Sequence, residues 1–365
     1  MNEVEQAVDA KLAELFEKYP NTAEMQDFRG ELRSDILESV QEKVEGGAGL
    51  KTALNAALAD FGDLDSTIKE ISNVEANFAA DERPEKVGLF SRVKLVNSTQ
   101  TDLNAVTEIQ FDLKDLIINV QPGNSDLLEI DEYMTKQKPE YFIKQVRQGG
   151  RLIITSGNKP LLGNLHQRLE VRLPLTYVET LTIDLKSGLI NIDNIQQSVK
   201  LNIVSTSGIT KLNNVDVREI TGKTSSGSWK ASHVSTQLLQ AQVKSGTMKL
   251  DDVTAQFQMD TTSGSIKGTN LHGAGDITVK SGTTRLDFDE LIGDLNLNGN
   301  SGTIRVNTPM NQDFLFDLQA KSGTVAVKRE AEYQYDVQAL KVGQTAADAK
   351  YKISAKVKSG TVRID

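Results

Sequence analysis

From Ser187 onward nine Ser-Gly pairs, at 187, 207, 226, 245, 263, 281, 301, 322 and 359, follow one another at intervals of 20, 19, 19, 18, 18, 20, 21 and 37 residues. A period near 19 is too long for a hairpin unit and too short for a propeller blade, so it marks a solenoid in which each period is one coil. One frame fits every copy. Two, four and six residues before the Ser are mostly apolar or small (Leu181, Ile183, Leu185; Leu239, Ala241, Val243). So are the residues two and four after the Gly (Ile190, Ile192; Met248, Leu250; Ile304, Val306). The intervening positions are polar, which makes each copy a half-buried strand, a Ser-Gly corner and a second half-buried strand. Glycine suits the corner because it tolerates positive φ and has no Cβ to meet the coil stacked above it. Most copies close on Asn or Asp followed by an aliphatic residue (Asn194-Ile195, Asn214-Val215, Asp252-Val253, Asn270-Leu271), a second corner and a short third side.

The regular array is expected over 181–365, with an insertion near 329–356 that is either a degenerate coil or a strand pair folded over the end. An irregular opening section covers 89–180. Within it Ile109, Phe111, Leu113, Ile118 and Val120 repeat the inward pattern around Lys114-Asp115, and RLIITSGNKP at 151–160 is a second candidate coil. The chain stops at VKSGTVRID, in mid-motif, so an uncovered final coil offers end-to-end self-association.

Charge divides the chain differently. Residues 1–82 hold 19 Asp and Glu against 7 Lys and Arg, whereas 83–365 hold 31 against 34. Apolar spacing changes from helical to alternating near Pro84, which places a linker at 83–88. The acidic part reads as a small helical bundle. Val4, Val8, Leu12, Leu15 and Phe16 form one stripe, and Met25 to Val40 carry a second helix opened by an Asn21/Glu24 capping box. Gly46–Gly49 stop it, and further helices follow over 50–62 and 65–78. The fold class expected is therefore α + β multidomain: an N-terminal bundle, then a parallel β-helix-like solenoid.

The outward residues carry whatever the array binds. Three after the Gly stand Lys211, Lys230, Lys249, Lys267, Arg285, Arg305 and Arg363, broken by Asn191 and Ala326; immediately before the Ser stand Lys186, Lys244, Lys280, Lys321 and Lys358. Coils stack about 4.8 Å apart, so such columns repel themselves unless screened. Two readings fit: a face kept soluble and unable to pair with other sheets, or a strip for an anionic wall polymer, lipid headgroups or acidic glycan. Nucleic acid fits poorly, since neither aromatic interleaving nor a recognition motif accompanies the columns. The acidic bundle is read either as a solvated surface or as a docking site for a cationic peptide or the basic columns of its own chain.

Catalysis is not expected. The absence of cysteine excludes disulfides and thiolate chemistry, and three scattered histidines (His166, His233, His272) give no metal set. No cofactor is expected, and GGAG lacks the strand-to-helix context and GK[ST] signature of a phosphate loop. Asp251, Asp252, Asp287, Asp289 and Glu290 are scattered rather than paired, and Trp229 falls at an inward, core position. No apolar run is long enough to span a membrane, and the first twenty residues are too charged for a secretory signal, which alone points to the cytoplasm.

Two resemblances qualify that last expectation. The acidic amphipathic helix, Gly break, Ala-rich helix and FGD over about 5–75 resemble the HAAS helical signalling domain of Gram-positive bacteria, although Leu64 stands where that family usually has Pro. LKSGLINIDNI, VKSGTMKLDDV and VKSGTVRI resemble the adhesin-like β-strand repeat family, and the two together are similar to LiaX-type envelope-stress proteins of Firmicutes. That likeness implies a non-enzymatic role at the cell envelope, in the response to cationic antimicrobial peptides and in connection with a membrane-bound stress-sensing protein. A self-assembling, bactofilin-like scaffold is the alternative, and a carbohydrate-active β-helix enzyme a remoter one. The resemblance transfers no functional residue.

Overall fold

The computed structural model describes residues 3–19, 23–45, 48–60, 64, 68, 93–158 and 165–365. It divides into two compact units, Met1–Pro84 and Glu85–Asp365.

The first unit contains α1 (Glu3–Phe16), α2 (Ala23–Glu45) and α3 (Leu50–Asp60). Their apolar stripes meet in one cluster in which Val8, Leu12, Ile36, Val40 and Ala57 are buried, and Ile68 joins it. The helices form because those residues recur at three-to-four spacing, and the packing of that face stabilises them more than propensity does. Asp9 on α1 takes a bidentate pair from Arg33 on α2, with Nη2 to Oδ2 at 3.0 Å. The Asn21 capping box and most of the 65–78 helix lie outside the described residues. Among those described, no helix is long and apolar enough to cross a membrane.

The second unit is one sheet of fourteen strands. These are β1 (Lys94–Asp102), β2 (Glu108–Leu113), β3 (Leu116–Gly123), β4 (Leu127–Met134), β5 (Lys144–Gln148), β6 (Arg151–Thr155), β7 (Gln167–Pro174), β8 (Thr180–Leu185) and β9 (Gly188–Asp193). There follow β10 (Lys200–Asn307), β11 (Phe314–Val327), β12 (Glu332–Val337), β13 (Leu340–Gln344) and β14 (Tyr351–Ile364). β10 runs through several coils, because each side of a coil is hydrogen-bonded to the coils beside it.

Pairing between coils is parallel and in phrase register: Leu201 lies beside Leu181, Ile209 beside Leu189, Ser301 beside Ser359. The reason is visible at the corners. Gly188, Gly208, Gly227, Gly246, Gly264, Gly282, Gly302, Gly360 and Gly323 all have φ between 122° and 136°. A Cβ on any of them would lie 1.8–2.1 Å from the backbone oxygen of the coil beneath. No other residue fits both the conformation and the space. The second corner uses the left-handed region at Asn194, Asn214, His233, Asp252 and Asn270, φ 53–58°, where short polar residues are tolerated. Between the corners the inward residues form one continuous core, from Ile109 and Phe111 to Val362 and Ile364. Trp229 is buried in it over Gly222, whose Cβ would lie 2.4 Å from the indole ring.

The stack does not follow chain order at either end. β2 and β3 form the degenerate coil, with Ile109, Phe111 and Ile118 buried, but β6 and β7 pair on its outer side and β8 and β9 on its inner side. The coil that contains β6 and β7 is therefore outermost. At the far end β14 pairs with β10 on one side and β11 on the other. The last residues of the chain thus lie inside the stack, which corrects the expectation of an uncovered terminal coil. The insertion is the strand pair, not a degenerate coil: β13 runs antiparallel over Leu315–Gln319 of β11, and β12 pairs with β13. The 37-residue interval is the length of this excursion and return.

Antiparallel strands cover both outermost coils. At the opening end β4 pairs with β7, β1 with β4, and β5 with β6. Glu132 on β4 is fully buried there and accepts hydrogen bonds from Asn97 Nδ2 (3.0 Å), Ile143 N (2.9 Å) and Gln167 Nε2 (2.8 Å). At the other end Arg329 donates to the carbonyls of Pro309 (3.1 Å), Gln312 (2.7 Å) and Met310 (3.2 Å), over the ring of Phe314.

Candidate functional site

Both basic columns exist as columns, since coils stack in phrase register, and the two differ in surroundings. In the first, Lys211, Lys249, Lys267, Arg285, Arg305 and Arg363 are half-buried and only Lys230 is exposed. Two residues further along the same face come Asp193, Asp251, Asp287 and Asp365. Asp365 bridges Arg305 (2.8 Å) and Arg363 (2.6 Å), which are adjacent across β10 and β14. Lys211, Lys249, Arg285 and Arg305 all have partners. These cations are partly spent on the stack itself.

In the second column Lys186, Lys244, Lys280, Lys321 and Lys358 are all exposed. From the opening end the column reads Lys186, Thr206, Ser225, Lys244, Thr262, Lys280, Asn300, Lys358, Lys321. Its positive charge gathers at the far end, where interleaving also places Lys356 beside Asn298. Here a surface cleft of about 250 Å³ opens. Lys280, Lys356 and Lys358 line it with Asn298 and Asn300, and Gly299 forms its floor between Val279 and Val357. Lys356 and Asn298 escape a reading by columns next to the Ser-Gly pair. Their signal lies three residues before the Ser, and it becomes a cluster only in the interleaved order.

The carboxylates singled out in the sequence make local contacts within the stack. Asp251 accepts from Thr269 Oγ1 (2.8 Å) and Asn270 Nδ2 (3.1 Å), Asp287 accepts from Asn307, and His272 lies 3.8 Å from both Asp289 and Glu290. His233 occupies the Asn/Asp corner, 3.8 Å from Asp252. Among the described residues no group of three or more His, Asp or Glu side chains is placed to hold a metal. Burial pushes the Glu132 carboxyl above its ordinary range despite its three donors. Burial acts the same way on Asp131, but Ser98 and Arg172 outweigh it and hold that carboxyl low. Both belong to the end cap rather than to a reaction centre.

Parallel coils with a shared apolar interior, glycine corners and antiparallel covers define a solenoid-like β domain. The Toastrack DUF4097 family model matches residues 106–365, and the chain belongs to that family. A comparison with the curated proteins finds no match. Among solved structures the chain is similar to a candidate adhesin from Bacteroides fragilis NCTC 9343, at 13% identity and a TM-score of 0.40, covering 76% of this chain and 100% of that one. It is also similar to a candidate cell adhesion protein from Clostridium sporogenes ATCC 15579, at 13% identity and a TM-score of 0.23, covering 75% and 99%.

Proposed function

We propose that this is a non-catalytic, adhesin-like protein of the cell envelope whose solenoid binds anionic envelope components along the exposed lysine column. The observation that carries this reading is the contrast between the two columns. Lys211, Lys249, Arg285, Arg305 and Arg363 have partners within the protein, whereas Lys186, Lys244, Lys280, Lys321 and Lys358 are all exposed along one face. A ladder of ammonium groups near 4.8 Å spacing suits a flexible polyanion, whose binding would fall steeply with salt. The acidic helical unit, similar to HAAS domains, then serves as the part that senses cationic peptides or contacts a membrane-bound stress-sensing protein. Co-sedimentation with poly(glycerol phosphate)-decorated cell wall at low ionic strength tests the first part. Lys186→Gln with Lys244→Gln, Lys280→Gln and Lys358→Gln should abolish retention, while Lys211→Gln with Lys249→Gln should change it little. Equal retention of both variants would return the lysines to a solubility role.

One observation favours self-association as a second reading: among the described residues β12 pairs only with β13, and its Tyr335 and Val337 are about 60% exposed. Light scattering across a concentration series decides it, because a monomer at all concentrations removes that reading.

A further inference from the structure

The geometry points to the cleft at Gly299 as a binding site for one phosphodiester group, presented by a polymer or by a lipid headgroup; this rests on the lysine column being an anion-binding face. The cleft is the furrow between two outward rows, one and three residues before the Ser, and its floor is the strand backbone at the inward positions Val279, Gly299 and Val357. Along the furrow stand three ammonium groups, from Lys280, Lys356 and Lys358, and two carboxamides, from Asn298 and Asn300. Among the described residues none of the three lysines is ion-paired, and no acid lines the cleft. The nearest acids on this face, one row back along the strands, are engaged: Asp276 accepts from Asn296 (2.9 Å), and Asp317 from Gln319 (2.9 Å) and Lys352 (3.5 Å).

Several point charges converging from different strands suit a tetrahedral oxyanion, while amides supply donors without adding charge. The lysine stems suit the carbon skeleton attached to a phosphate, which favours a phosphate with its flanking glycerol or sugar. The site exists only because β14 enters the stack before β11. In chain order Gln319 and Lys321 would stand where Lys356 and Lys358 do, leaving two lysines instead of three.

The test is calorimetric titration of the full chain at low ionic strength with the phosphodiester monomer glycerophosphoglycerol, with poly(glycerol phosphate), and with phosphatidylglycerol vesicles. The monomer should bind saturably, one per chain. Lys356→Gln with Lys358→Gln, both at exposed positions, should weaken it by about tenfold or more. Lys280→Gln, which removes the third ammonium from the neighbouring coil, should weaken it in the same direction. Lys186→Gln with Lys244→Gln should leave monomer binding unchanged while weakening the polymer. Unaltered affinity in the double variant, or no saturable monomer binding by the native chain, overturns the site even if polymer binding persists. Monomer binding without polymer or vesicle binding would instead sink the wider face and leave the site standing. Of the two larger probes, the one whose binding the double variant loses identifies the source of the phosphodiester. Equal displacement of the monomer by polygalacturonate, which has carboxylates only, would overturn phosphate selectivity.

Discussion

The two ends of the coil stack meet one requirement with opposite charges. At the opening end, Glu132 is fully buried and accepts from Asn97, Ile143 and Gln167, so a carboxylate ties β4 to β1, β7 and the 143 loop. At the far end, Arg329 donates to three carbonyls over Phe314. Both solutions cover an outermost coil that the chain reaches out of sequence order. They differ in completeness. The opening end has antiparallel strands over both of its outer strands, whereas at the far end β13 spans only Leu315–Gln319 and leaves Lys321 to Thr324 exposed. An edge can stay open where charge and a glycine corner discourage pairing, and that is the end at which the lysines gather.

The comparison breaks most readily by removing the interleaved coil. A chain ending at Lys350 loses Ile353, Ala355, Val357, Val362 and Ile364 from the core, at roughly 1.5–3 kcal/mol for each fully buried large aliphatic. Limited proteolysis should then digest the far end back into β10. Removing β1, an edge strand, from a chain beginning at 93 should leave the stack protease-resistant. Next comes Gly360→Ala, whose Cβ would lie 1.9 Å from Gly302 O at φ 131°. A loss above about 3 kcal/mol is expected by denaturant unfolding. Gly149→Asn, at φ 59° with open space around it, should cost under about 1 kcal/mol.

The caps themselves separate by pH. Glu132→Ala strands the Ile143 amide and the Gln167 side chain, a loss of about 2–3 kcal/mol. Glu132→Gln keeps the Oε1 contacts and can be met by a turned Asn97 amide. Because burial raises the folded pKa of Glu132, its contribution is most favourable below the ordinary glutamate pKa and diminishes as pH rises through the raised value. The Gln variant should therefore flatten the stability profile above that ordinary value, measured by thermal unfolding from pH 4 to 8. Asp131, held low by Ser98 and Arg172, acts in the opposite sense, its contribution lost as pH falls. Arg329→Gln should cost about 1.5–3 kcal/mol with no pH dependence across that range. Among the cap substitutions the smallest effect expected is Tyr333→Ala, about 1 kcal/mol by denaturant unfolding, from the edge contact with Phe316 at 5.5 Å.

Much of the coil was legible before any coordinates. The inward set, the glycine corner and the Asn/Asp corner are local requirements, and each shows as a fixed residue type at a fixed offset: Gly246 and Asp252 declare themselves as readily as Leu250. The order of coils was not legible. AKSGTVAV and VKSGTVRI present nearly identical edges, so either could lie on the 302 coil, and no local preference separates them. The hairpin over 332–344 settles the matter from outside the repeat. The candidate site inherits the same blindness, since Lys356 and Gly299 are 57 residues apart in sequence and meet only through that order.

Interleaved ends have one more consequence, for how such a molecule can change in size. Both terminal modules are closed by strands that must find a specific neighbour, so neither tolerates an appended unit. The coils between 180 and 307 touch only their like. Duplication or loss of one nineteen-residue cassette there would lengthen or shorten the coil stack by about 4.8 Å without disturbing either closure, which makes the interior its region of growth.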